Sequence, residues 1–162
     1  MSTLRIGLGH DLHQLVEGRR FLLAGVELPS KTGELGHSDG DVLAHAVIDA
    51  LLGAAAIGDI GELFPPSDQK WKDADSMGLV RSAFALVEAK GWRVVNVDCV
   101  VVCESPKVLP YREAIRASLA AALSVPPESV FVKGKTNERM DSTGAGLAVE
   151  ATAVCLLERI QP

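Results

Sequence analysis

The sequence predicts an α+β fold, a single-domain sandwich in which a mixed β-sheet carries helices on one face. Three observations lead there. The length of 162 residues suits one domain, long enough to bury roughly two-thirds of its unfolded surface. Apolar residues make up 48% of the chain, with aromatics at only 4%, so the core is built from Val, Leu and Ala. Strand-like and helix-like runs follow one another as ββαα-β-α-β-β, an order that suits a mixed sheet better than a regular alternation of strand and helix. No internal repeat or low-complexity stretch divides the chain, and the expectation is one catalytic domain over 1–162.

Each element has a local signal. Residues 3–9 read as a strand that runs into Gly-His-Asp-Leu-His at 9–13, and 21–28 read as a second strand stopped by Pro29. A polar, glycine-containing loop covers 30–40. Ser38 or Asp39 can then cap a helix over about 41–56, with Val42, Ala46 and Leu52 facing the core. The glycines and prolines of 58–68 mark a loop. A second amphipathic helix covers 75–90 and stops at Gly91. The near-continuous apolar run 94–103 predicts a strand buried on both faces. Two prolines keep 104–110 from being helical, and a third helix over about 111–124 ends before Pro126 and Pro127. A short strand is expected at 130–133. The stretch 148–157 is a strand or a helix, and the alternation of Val149, Ala151 and Ala153 favours a strand.

Composition excludes several classes of function. No apolar run approaches the roughly 18 residues of a membrane span, and the longest, 46–57, is interrupted by Asp49. The opening Met-Ser-Thr-Leu-Arg passes directly into a strand with no secretory pattern, and neither end resembles a linker, so a free-standing cytoplasmic protein is expected. A net charge of −5 with no Lys/Arg cluster argues against a nucleic-acid partner. Cys99, Cys103 and Cys155 are odd in number, lie in apolar runs and have no CxxC spacing, which reads as three core residues.

The chemistry concentrates in the first third of the chain. All four histidines fall by position 45, in Gly-His-Asp-Leu-His and in His-Ser-Asp-Gly-Asp-Val-Leu-Ala-His at 37–45. Asp11 and His13 are two apart, so on a strand they share a face, while His10 takes the other. His45 sits one turn after Asp41 on rigid helix. Two imidazoles and one carboxylate from Asp11, His13 and His45 make a three-ligand divalent site with an open position, the pattern of a zinc ion that does chemistry. His37 and Ser38 precede a helix N-terminus, where free amides suit a phosphate; a plain cap is the alternative. Asp59, beside Gly61, either accepts polyol hydroxyls or caps a turn. The stretch 133–138 offers two lysines and Thr136 to phosphate oxygens, although an exposed loop would look similar. Residues 142–146 read as a turn. From these residues alone, a zinc-dependent phosphohydrolase and a non-catalytic metal- or nucleotide-binding module remain open.

Five separated strings narrow the choice. Gly-His-Asp-Leu-His, His-Ser-Asp-Gly-Asp-x3-His, Gly-Asp-Ile-Gly-x2-Phe-Pro, Ser-Pro-Lys-Val-Leu-Pro and Lys-x-Lys-Thr-Asn-Glu occur here in the order and spacing of the 2-C-methyl-D-erythritol 2,4-cyclodiphosphate synthase family, which the chain resembles along essentially its whole length. The resemblance implies cyclisation of 4-diphosphocytidyl-2-C-methyl-D-erythritol 2-phosphate with release of CMP, in the non-mevalonate isoprenoid pathway. It implies zinc on Asp11, His13 and His45, and a second ion, Mg²⁺ or Mn²⁺, held mainly by the substrate diphosphate. Diphosphate contacts and transition-state stabilisation match His37, Ser38 and Thr136. The erythritol would meet Asp59, Ile60, Gly61, Phe64 and Asp68. The cytidine would meet Cys103, Pro106, Lys107, Val108 and Leu109, with Lys135, Asn137 and Glu138. The resemblance further implies a homotrimer with sites between subunits. The chain departs from many bacterial members at Ser142, Ala145 and Leu147, where an aromatic residue and an arginine would line an axial channel for an isoprenoid diphosphate.

Overall fold

The computed structural model describes residues 3–160; the two residues at each end of the expected 1–162 domain lie outside the described residues. Strand β1 (Leu4–Glu17) is followed by β2 (Phe21–Leu23), β3 (Val26–Leu28) and β4 (Thr32–Glu34), then helices α1 (Val42–Ala55), α2 (Ile60–Leu63) and α3 (Ser76–Ala89). The second half carries β5 (Trp92–Val102), α4 (Arg112–Ala122), β6 (Val130–Lys135), α5 (Asp141–Gly144) and β7 (Ala148–Arg159). Five strands form one sheet in the order β4-β1-β7-β5-β6, and β2 pairs only with β3. Only β5 and β6 run parallel, so the sheet is mixed as the sequence predicts.

Several local expectations are corrected. The first strand does not stop at residue 9 but continues to Glu17, because β7 pairs with it as far as Gln14 and β4 beyond. The strand expected over 21–28 is a hairpin. Ala24 and Gly25, at φ 50° and 74°, make a two-residue turn that reverses the chain. The loop 30–40 contains β4. The run 94–103 is not buried on both faces, since β5 alternates Val97, Cys99 and Val101 in the core with more open neighbours. Helix α1 is capped by neither Ser38 nor Asp39. Asp41 accepts the Ala44 amide at 2.9 Å, and it also accepts the amides of Ala24 and Gly25, tying the hairpin to the helix.

Helix α1 lies across β1 and β7 and is buried almost along its length. The close approach depends on two glycines. A Cβ on Gly7 or Gly9 would run into the carbonyl oxygens of Ala50 and Ala46. Helix α3 packs on α1, and α4 covers β6, leaving the helices on one face. The opposite face of β1 presents Ile6 and Leu8 at 77% and 68% exposure, and Val154 of β7 is exposed beside them.

Candidate metal centre and substrate pockets

The glycines that seat α1 on β1 also bring His45 over Asp11. Oδ2 of Asp11 lies 3.0 Å from Nε2 of His13 and 3.0 Å from Nδ1 of His45. The three candidate ligand atoms lie within 4.8 Å of one another. His13 donates its Nδ1 hydrogen to the Gly40 carbonyl, which can only accept, and this turns Nε2 towards Asp11. Burial alone would raise the Asp11 carboxyl, but hydrogen bonds and charge from His13 and His45 outweigh it and hold the group well below the usual carboxylate range. Burial would depress the His13 imidazolium; the Asp11 hydrogen bond and charge reverse this and raise it. Two imidazole nitrogens and one carboxylate, half-buried and converging, are a donor set that zinc fits, with room for a further ligand.

This triad forms one side of a cavity of about 310 Å³ whose other walls are His37, Ser38, Ile60, Gly61, Phe64, Pro66, Trp71 and Leu79. Phe64 and Trp71 meet edge to face at 5.0 Å, and the Trp71 indole N–H is buried without a partner, a donor open to a bound hydroxyl. Asp59 caps α2 by accepting the Glu62 amide at 2.9 Å. Asp68 caps the next helical turn, pairs with Lys70 at 3.1 Å and does not line the cavity. His10 lies on the far side of β1, 54% exposed, near Thr152 and Glu150.

A second cavity, about 240 Å³, gathers Cys103, Pro106, Lys107, Val108, Leu109, Lys135 and Thr136 with Arg112 and Gly134. Its floor is tight: a Cβ on Gly134 would lie 2.7 Å from that of Val108. Asn137 and Glu138 do not line it and instead hold the loop. Asn137 donates to Asp141 at 2.6 Å, and Thr136 donates to Glu138 at 3.2 Å. The two cavities share no residue, so His37 lies in the first and Thr136 in the second. Sequence reasoning passed over Trp71, Leu79 and Arg112. Leu79 reads as core, whereas Trp71 in a polar run and a lone Arg112 just after Pro110 were visible signals.

The profile of the YgbB family matches residues 4–158. A 2-C-methyl-D-erythritol 2,4-cyclodiphosphate synthase of Treponema denticola is 52% identical over 154 residues, covering 95% of this chain and 96% of that protein. A solved 2C-methyl-D-erythritol-2,4-cyclodiphosphate synthase in a CDP-bound form superposes with a TM-score of 0.88 at 42% identity, over 95% of this chain and 100% of that one. The bifunctional IspDF of Campylobacter jejuni superposes with a TM-score of 0.94 at 37% identity; the match covers 98% of this chain and 43% of that longer one. A fold, a metal triad and a sequence match of this extent agree, and the chain belongs to the YgbB family.

Proposed function

We propose that the chain is a 2-C-methyl-D-erythritol 2,4-cyclodiphosphate synthase, a phosphorus–oxygen lyase. It closes 4-diphosphocytidyl-2-C-methyl-D-erythritol 2-phosphate to the 2,4-cyclodiphosphate and releases CMP. The convergence of Asp11, His13 and His45 beside an apolar-walled cavity carries this reading. An oxygen of the substrate 2-phosphate attacks the β-phosphorus, the bond from that phosphorus to the bridging oxygen breaks, and the electron pair leaves with CMP. No protein nucleophile is required; holding the two phosphates together removes most of the entropic barrier.

Asp11, His13 and His45 would hold Zn²⁺, which when bound polarises a phosphoryl oxygen. A second, harder ion, Mg²⁺ or Mn²⁺, would sit mainly on diphosphate oxygens. His37 and Ser38 donate to the diphosphate. Ile60, Gly61, Phe64 and Trp71 enclose the methylerythritol, and Asp59 keeps an oxygen for its hydroxyls. The 103–109 loop reads the cytosine edge, while Lys107, Lys135 and Thr136 meet CMP phosphate and ribose.

A homotrimer with sites at its interfaces is part of the same proposal. The metal cavity belongs to β1 and the nucleotide cavity to β6, three strand spacings away or roughly 14 Å across the sheet. Two chains meeting would bring such halves together, and the exposed Ile6, Leu8 and Val154 supply an apolar face for the contact. No helix among the described residues is long and apolar enough to cross a membrane, and we place the enzyme in the cytoplasm. The test is product analysis in water enriched in oxygen-18. Cyclic diphosphate and CMP without solvent oxygen are expected, whereas labelled phosphate would identify a hydrolase.

A further inference from the structure

We propose that Ser76 and Asp39 are positioning residues of the metal centre. They hold the imidazole proton of His45 on Nε2, so that Nδ1 offers its lone pair to the ion. The inference rests on the metal reading above.

The direction of each hydrogen follows from what its acceptor can do. Asp39 receives the Ser76 amide at 3.0 Å, the Asp41 amide at 3.2 Å and the Ser76 hydroxyl. A carboxylate only accepts, so the Ser76 hydroxyl hydrogen points at Asp39. Ser76 Oγ then has only lone pairs for its other neighbours. One neighbour is Nε2 of His45 at 3.0 Å, which must therefore carry the hydrogen. The second lone pair faces Ser38 Oγ at 3.2 Å, itself 3.0 Å from Nε2. With Nε2 committed to Ser76, Nδ1 is the ring nitrogen turned to Asp11 Oδ2 at 3.0 Å, where its lone pair is the one a bound ion would take in place of the hydrogen shared with Asp11. His13 is held in the opposite tautomer by the Gly40 carbonyl. Two imidazoles turned by different partners thus aim Nε2 of His13 and Nδ1 of His45 at one point beside Asp11, the two nitrogens a bound ion would take.

Burial and backbone make the device rigid. Ser76 is fully buried at the start of α3, far in sequence from either histidine string. Its segment is clasped to the Asp39 loop by two backbone bonds, Asp39 N to Ala74 O at 3.1 Å and Asp73 N to His37 O at 2.9 Å.

The test measures zinc affinity of the full chain by competition with a chromophoric chelator, together with the visible bands of the cobalt(II)-substituted protein. Ser76→Ala and Asp39→Asn should each weaken zinc by about 10- to 100-fold and alter the cobalt bands. Ser76→Thr, which keeps the hydroxyl, should restore both. Asp39→Asn is the sharper probe, because an isosteric amide can donate to Ser76 Oγ and send the hydroxyl hydrogen towards His45. It also decides the matter alone if Ser76→Ala does not fold. If the variants lower only the melting temperature of the metal-free protein and leave zinc affinity and cobalt bands as in the wild type, the inference is overturned. A wild-type chain that binds neither zinc nor cobalt overturns the metal reading itself.

Discussion

His45 stands on a helix whose burial comes from other residues, so its side chain can be removed without opening the core. His45→Ala should lose zinc by metal analysis and activity by ~10²-fold or more, because charge stabilisation at the phosphoryl group goes with the ion, while the circular dichroism spectrum stays native. His10→Phe, on the opposite face of β1, should leave zinc content unchanged. Glu34 makes a different prediction. It is fully buried, accepting the Leu22 amide at 3.0 Å and the Val42 amide at 3.4 Å. Burial, reinforced by the charges of Asp41 and Asp39, pushes its carboxyl up from 4.5 to about 9. Below pH 4.5 folded and unfolded chains are both protonated; between there and about 9 only the unfolded chain has lost the proton. Stability should therefore fall as pH rises through that window, and urea titrations of Glu34→Gln should show a flatter slope. The ligand triad was legible because residue type and spacing alone define it, two apart on a strand and one more on a helix. Ser76 was not, since its partner Asp39 lies 37 residues away and only the tertiary fold joins them.

The seat of α1 is where element-level packing controls the site. Gly9→Ala would push a methyl into the Ala46 carbonyl, one residue from His45, and lift the helix from β1. A loss of about 3 kcal/mol or more in chemical denaturation is expected, in the range of backbone-displacing core substitutions, with weakened zinc binding in the fraction that folds. A long helix and the last strand were legible: the expected 75–90 became Ser76–Ala89 behind its Asp75 cap, and 148–157 became the strand Ala148–Arg159. The hairpin was hidden because Ala24 gives no sign of a left-handed backbone, and β4 because Thr-Gly-Glu has no strand pattern of its own and is held by pairing with β1. The second half of β1 was missed for a related reason. Its polar ligands interrupt the apolar run, although the chain stays extended beneath them.

Across the whole molecule, Ser142 in α5 and Ala145 and Leu147 between α5 and β7 lie exposed, and no guanidinium or aromatic wall is formed from these positions. A buried di-anion there would lack a bidentate partner. Native mass spectrometry with farnesyl diphosphate should show no one-per-trimer complex of the proposed homotrimer, and a stoichiometric adduct surviving buffer exchange would refute this. The three thiols, finally, make the chain its own stopwatch. Cys99 and Cys155 are fully enclosed in the sheet core, and Cys103 is 3% exposed on the second cavity. Burial pushes their thiols up to about 12, 11 and 11 respectively, so none reacts at neutral pH until the surrounding structure parts. A disulfide reagent then times sheet opening at two sulfurs and breathing of the second cavity at the third. CMP should slow modification of Cys103 while leaving the other two rates nearly unchanged, as peptide-resolved labelling would record.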